Sequence, residues 1–266
     1  MKQYLKYLLY RLHLADGLDD FLFKKALSEN HARNQAFLQN NPSVILPDDR
    51  ILFETYQINY KKFIEDGALA AAEIIGWTTP YLANENPRIL DWGCGAGRIT
   101  RHIATAQPNA LLYGCDTNAV FIDWNKTNYA GITFTTINGF SPTPYAPDFF
   151  QLAYGFSVLT HIDASMQQEW LTEMHRILDA KGILFITTHG SNYLPQLLPF
   201  EKRSLKEKGF YTRRYPVHGR RMMTTYHEAG QFKKIIAPIF VVKEWYDGKQ
   251  YPEKAGGQDV WILQKK

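Results

Sequence analysis

Three glycines, Gly93, Gly95 and Gly97, stand at alternate positions in Arg88-Ile89-Leu90-Asp91-Trp92-Gly93-Cys94-Gly95-Ala96-Gly97-Arg98, after an apolar run and ahead of a helical pattern. Glycine lacks a Cβ, so such a loop turns sharply and lets a ligand approach the backbone, while the following helix offers unpaired N–H groups at its start. The arrangement suits an adenosine-bearing ligand. A dinucleotide loop places its third glycine three residues after the second. That position is Arg98 here, and the third glycine comes one residue early. Asp91, at the end of the strand, repels a pyrophosphate and favours a ligand with a cationic amino group and a sulfonium.

With these residues, the stretch 87–190 resembles the class I S-adenosylmethionine (SAM)-dependent methyltransferases. Asp91 to Gly97 is similar to the family's first motif, which implies SAM as cofactor and assigns its contacts to Asp91, Trp92, Gly93, Cys94, Gly95 and Gly97, with Asp91 ordering the loop and drawing the methionine amino group. Leu111-Leu112-Tyr113-Gly114-Cys115-Asp116 resembles the second strand, whose closing acid takes the ribose hydroxyls. That role falls to Asp116, with Thr117 beside it. Asn138, Gly139 and Phe140 stand where the family keeps its adenine neighbours; many members have an acid at the place of Asn138, and main-chain groups are the substitute. Either Phe140 or Phe156 contacts the adenine, and Arg98 either pairs with the methionine carboxylate or is a surface arginine. Residues 148–154 resemble the fourth strand and 171–178 the helix before the fifth, where the family's Pro-Gly-Gly turn is reduced to Ala180-Lys181-Gly182.

Methyl transfer from a sulfonium is an in-line displacement by an already activated donor, so positioning contributes most and a base serves chiefly a hydroxyl acceptor. Two histidines are candidates. His161 follows the fourth strand in Gly155-Phe156-Ser157-Val158-Leu159-Thr160-His161, where the family lines the space between cofactor and acceptor; the alternative is a hydrogen-bonded histidine at the start of the next helix. His189 ends the fifth strand in Thr187-Thr188-His189-Gly190 and either positions substrate at the mouth of the site or satisfies loop carbonyls. Arg213, Arg214, Arg220 and Arg221 either clamp an anionic group of the acceptor or form a solvated cluster. Tyr56, Tyr60 and Phe63 either close over the cofactor or pack against the sheet.

The elements that must position these residues alternate. Strands at 88–92, 110–116, 132–137, 149–154 and 182–188, with helices at 97–107, 118–129 and 163–178, predict a doubly wound, mostly parallel sheet with the ligand at the carboxyl ends of the strands. Together with a final antiparallel hairpin from 235–245 and 259–264, as in the resembled family, this is an α/β, seven-stranded, Rossmann-like methyltransferase fold. Asp163 is placed to cap the helix after it. A helix over 66–81 leads into the core, and residues 1–40 read as two or three short helices, so the expected division is an N-terminal helical extension over 1–65 and a SAM-binding domain over 66–266. Residues 190–223, rich in Pro, Gly and aromatic residues with little period, read as a lid-like insertion.

Composition narrows the function. At 266 residues and 45% hydrophobic content the chain buries a full core, and a net charge of +4 from scattered Lys and Arg offers no basic stripe for nucleic acid. Neither an Asn/Asp-Pro-Pro-aromatic sequence nor a Pro-Cys nucleophile for nucleobase chemistry occurs. The two cysteines, Cys94 and Cys115, read as reduced thiols, and no metal site is expected. The start, residues 1–14, reads as a basic amphipathic helix packed on the protein's own body or touching a membrane surface, without the apolar core of a signal peptide; the expected location is the cytoplasm, with no membrane span. The resemblance of 157–161 and 187–190 to methyltransferases of glycan and secondary-metabolite pathways implies a small-molecule or sugar-containing acceptor methylated at oxygen or nitrogen. A SAM-binding regulator without transfer activity and an NAD-binding oxidoreductase are the rival functions.

Overall fold

The computed structural model describes residues 15–83, 85–140, 142–214 and 223–266. Seven strands form one sheet in the order β3-β2-β1-β4-β5-β9-β8. They are β1 (Arg88–Trp92), β2 (Leu111–Asp116), β3 (Thr133–Thr136), β4 (Phe150–Gly155), β5 (Leu178–Thr188), β8 (Phe240–Tyr246) and β9 (Asp259–Lys265). The first five run parallel and β9 lies antiparallel between β5 and β8. The expected doubly wound, seven-stranded sheet is therefore present.

Alternation along each strand divides the core into two layers. On one face Leu90, Trp92, Ala153, Leu184, Ile186 and Trp261 meet Trp170, Leu171, Met174 and Ile177 of α6 (Ala164–Ile177) and Phe232 and Ile236 of α8 (Ala229–Ile236). On the other, Ile89, Leu112, Leu152, Phe185 and Ile262 meet Ala70, Ala71 and Ile74 of α3 (Tyr60–Thr78) and Ile103 of α4 (Thr100–Ala106). Helix α5 (Ala119–Asn128) follows β2 and is capped by the Asn118 side chain. Asp163 caps α6, its carboxylate accepting from the Ser165 amide at 3.0 Å.

Several element boundaries differ from expectation. In place of short N-terminal helices, α1 runs from Ala15 to Asn40 without a break, followed by α2 (Asp49–Thr55). Within α1 Asn30 Nδ2 donates back to the Ala26 carbonyl at 2.9 Å, and at its last residue Asn40 Nδ2 donates to that of Ala36 at 2.8 Å. Helix α3 begins at Tyr60 and not at 66, because the Asn59 side chain caps it by accepting from the Lys62 amide. Residues 235–236 close a helix in place of opening a strand, since the Glu228 carboxylate accepts from the Gly230 and Gln231 amides and starts α8. The stretch that reads as irregular carries a 3-10 turn (Ser191–Gln196), α7 (Pro199–Lys208) and β6 (Phe210–Arg214), which pairs antiparallel with β7 (Met223–His227). Its apparent breakers are caps: Pro199 opens α7 and Gly209, at φ 78°, ends it. The amphipathic start at 1–14 and Arg220 and Arg221 lie outside the described residues.

Candidate active site

A cleft of about 1400 Å³ lies at the carboxyl ends of β1, β2 and β4. Its floor is the turn after β1. Gly93 holds φ 74°, and a Cβ there would stand 2.6 Å from Val158 Cγ2; at Gly97, φ 68°, it would stand 2.5 Å from the Tyr129 ring. Only glycine fits either position. The Gly93 and Cys94 amides both donate to the Cys115 carbonyl, at 2.8 and 3.0 Å, which fastens the turn to the end of β2.

Asp116, the last residue of β2, borders the cleft and is pinned from both sides. Its Oδ2 accepts from the Gly95 amide and its Oδ1 from the Asn118 amide, each at 2.9 Å. Burial raises its carboxyl above the ordinary aspartate value. Asp91 sits beneath the turn and not in the cleft wall, 4% exposed, its Oδ2 accepting from Thr100 Oγ1 at 2.5 Å. Burial, helped by the charge of Asp116, pushes its carboxyl up to about 6, against the pull of the Thr100 and Tyr154 hydroxyls.

Of the residues singled out in the sequence, Trp92, Gly93, Gly95, Arg98, Asp116 and Thr117 line the cleft, joined by Gly139, Phe140, Phe156 and His161. Cys94, Gly97 and Asn138 do not border it. Both cysteines are buried free thiols, pushed up by burial. Arg98 turns inward, its guanidinium 4.4 Å above the Tyr56 ring and 5.8 Å from that of Phe156, and burial lowers its pKa. Tyr56 in turn donates to Asp66. Tyr60 and Phe63 pack away from the cleft, Tyr60 donating to Asp49 at 2.9 Å and Phe63 lying fully buried among Ile51, Leu52 and Ala96.

His161 Nδ1 lies 3.3 Å from the Met223 carbonyl oxygen. A carbonyl only accepts, so Nδ1 carries the hydrogen and Nε2 is the basic nitrogen. His189 lies behind the wall, stacked at 4.1 Å on Tyr193, which itself borders the cleft. Burial, helped by the neighbouring His161 and His227, holds its pKa down to about 3. Arg213 is committed to Glu201, with its Nε 2.8 Å from Oε1, and Arg214 to Asp163, so neither stands as an anion clamp.

The structure also brings forward residues the sequence reading passed over. Asp66, Leu69, Ala70 and Glu73 present one face of α3 to the cleft. Their three- and four-residue spacing is the signal that would have found them. From the distant end of the fold, Glu253 to Gly256 and Gln258 border the mouth, where the Ala255 amide donates to Glu73 Oε2 at 2.9 Å and Tyr193 Oη donates to the Gly256 carbonyl at 2.7 Å. Among the described residues no cluster of His, Cys, Asp and Glu is arranged to hold a metal, and no helix is long and apolar enough to cross a membrane.

Residues 89–182 match a family model described as a methyltransferase domain. Residues 89–182 thus carry a methyltransferase domain, in a fold shared with SAM-dependent methyltransferases. No curated protein matches the sequence of this methyltransferase. Solved structures share its fold. A SAM-dependent methyltransferase from Methanosarcina mazei is 23% identical over 71% of this chain and 96% of its own, with a TM-score of 0.54. A TehB-like SAM-dependent methyltransferase from Corynebacterium glutamicum is 17% identical over 91% and 99%, with a TM-score of 0.50. The 1,6-didemethyltoxoflavin-N1-methyltransferase of Burkholderia thailandensis, solved with 1,6-didemethyltoxoflavin and S-adenosylhomocysteine, is 12% identical over 84% and 92%, with a TM-score of 0.52.

SAM is the cofactor that the methyltransferase domain and its fold imply. The residues present fit it. A Cβ on Gly139 would meet nothing within 4 Å, so the backbone there stands open to a ligand. Ile137, Val158, Met166 and Trp170 give the cleft an apolar side, and Asp116 presents a carboxylate beside it.

Proposed function

We propose that the enzyme methylates oxygen or nitrogen of a small-molecule or sugar-containing acceptor, with His161 receiving the acceptor's proton. The observation that carries this reading is the pairing of His161 Nδ1 with the Met223 carbonyl, which leaves Nε2 as the basic nitrogen of a cleft-lining imidazole. When bound, SAM supplies a methyl on a positively charged sulfur that needs no further activation. The chain's residues hold, orient and deprotonate. Asp116, with Thr117 beside it, accepts from the ribose hydroxyls; Phe140, Phe156 and the backbone of Asn138 and Gly139 border the adenine; Arg98 faces the methionine carboxylate. Trp92, Gly93, Cys94, Gly95 and Gly97 shape the turn, and Asp91 orders it from beneath through Thr100. His189 supports the acceptor side through Tyr193.

The same reading divides the chain into a helical extension over 1–65 and a SAM-binding domain over 66–266, with 190–223 as a lid beside the acceptor. It places the enzyme in the cytoplasm, with a small molecule and not nucleic acid as its partner. The test is a panel of hydroxyl- and amine-bearing small molecules and sugars, read by formation of S-adenosylhomocysteine. A methylated oxygen or nitrogen is the expected product, and His161→Ala is expected to slow its formation by about 10²-fold or more while leaving SAM affinity unchanged. Turnover of thiols alone, or an unimpaired His161→Ala, would overturn the reading.

A further inference from the structure

Beyond the base, the cleft holds a closed ring of hydrogen bonds whose proton directions are all determined. Ser157, a cleft-lining serine just past β4, has left-handed backbone at φ 66°. Its amide donates to Thr187 Oγ1 at 2.7 Å, and Thr187 donates in turn to Gln258 Oε1 at 2.9 Å. This fixes the amide of Gln258, whose Nε2 donates to Ser157 Oγ at 3.1 Å. The Thr160 hydroxyl gives its only proton to the Ser157 carbonyl at 2.5 Å. The 2.9 Å contact between the Ser157 and Thr160 hydroxyls is therefore donated by Ser157. Ser157 Oγ has spent its proton and one lone pair, and the lone pair that remains can only accept.

We infer that Ser157 orients the methyl acceptor by taking a hydrogen bond from one N–H of the amino group to be methylated. The position suits this. Strand β4 neighbours β1 in the sheet, and Val158, the next residue, packs against Gly93 of the turn. Ser157 thus borders the turn that faces the methionine end of the cofactor. Thr160, Thr187 and Gln258 are positioning residues, buried and acting through Ser157. The acceptor is then an amine carrying at least two hydrogens, one for Ser157 and one for His161, since a hydroxyl has only one to give. As its lone pair forms the new bond to the methyl carbon, the carbon–sulfur pair leaves with sulfur, one hydrogen of the acceptor stays hydrogen-bonded to Ser157 Oγ, and a second departs as a proton to His161.

This inference rests on the methyl-transfer reading above, but its test needs no acceptor. Sinefungin carries a carbon-borne ammonium where SAM carries its methyl-bearing sulfur, so it presents N–H groups at the place of transfer; S-adenosylhomocysteine presents none. Calorimetric titration of both into wild type and Ser157→Gly, a substitution that the left-handed backbone accepts, is expected to raise the sinefungin Kd about tenfold or more and to leave that of S-adenosylhomocysteine within about twofold. Thr160→Val, which releases the proton of Ser157 to turn toward the cleft, is expected to weaken sinefungin selectively as well. Equal weakening of both ligands, or none of either, in these variants would overturn the inference. The outcome is independent of turnover, so a failure here leaves the His161 assignment standing, and the reverse also holds.

Discussion

The Nε2 of His227 lies 2.7 Å from Oε1 of Gln167, whose own amide nitrogen donates to the carbonyls of Leu159 and Ile162. Those two carbonyls fix the orientation of the amide, so His227 must donate through Nε2, and its Nδ1 is a buried acceptor with no partner. A second proton would be a buried, uncompensated charge, and burial accordingly holds the imidazole down to about 3. Between that value and the ordinary histidine value the unfolded chain binds more protons, so stability is full above about pH 6.5 and falls as the pH drops below it. The contribution of His227 to the loss is about 2 kcal/mol by pH 5. Urea denaturation at pH 7 and pH 5 is expected to show the difference shrink by about that amount in His227→Gln.

Asp91 gives the opposite slope. Its folded carboxyl titrates at about 6, above the unfolded value, so its contribution is most favourable in acid and is lost as the pH rises through 6. At pH 8 the buried carboxylate costs about 3 kcal/mol relative to a neutral side chain of the same shape. Asp91→Asn is expected to melt higher than wild type at pH 8 and to lose this advantage near pH 4, while binding SAM more weakly. A variant that melts lower at both pH values would contradict the assignment.

Asp116 ties the glycine turn to β2 as well as bordering the cleft. Asp116→Ala is expected to weaken S-adenosylhomocysteine binding by roughly 1 to 3 kcal/mol, measured calorimetrically. Unchanged affinity would place the ribose elsewhere.

Gly67 on α3 is a packing constraint. A Cβ there would stand 2.4 Å from the Arg98 carbonyl oxygen and 3.2 Å from the His102 ring. Gly67→Ala is expected to push α3 off the turn, lowering stability by about 1 to 3 kcal/mol in denaturant melts and weakening SAM binding with it, because Arg98 and Tyr56 move apart.

The order of strands, the two-sided core and the glycine turn were legible because each follows from local spacing: alternate residues for a strand, three- and four-residue steps for α6, and alternate glycines before Arg98. The chain's caps were harder. Asn59 and Glu228 start helices where the apolar pattern has not begun or has suggested a strand, and a single side chain decides the matter. The acceptor side was least legible. Gln258 reaches Ser157 across 101 residues of sequence only because β9 lies antiparallel beside β5, and no local pattern announces that pairing. His189 stands one residue past β5, which ends at Thr188, and Tyr193 stands between it and the cleft, a consequence of the 3-10 turn that follows.

The mouth of the cleft joins Glu73, in an early helix, to the backbone of Ala255, close to the last strand. During synthesis the turn after β1 is therefore complete well before its cover, since Ala255 follows Glu73 by 182 residues. A nascent chain halted before Glu253 would carry the glycines and Asp116 but lack both the Ala255 amide that closes the mouth onto Glu73 and Gln258, which orients Ser157.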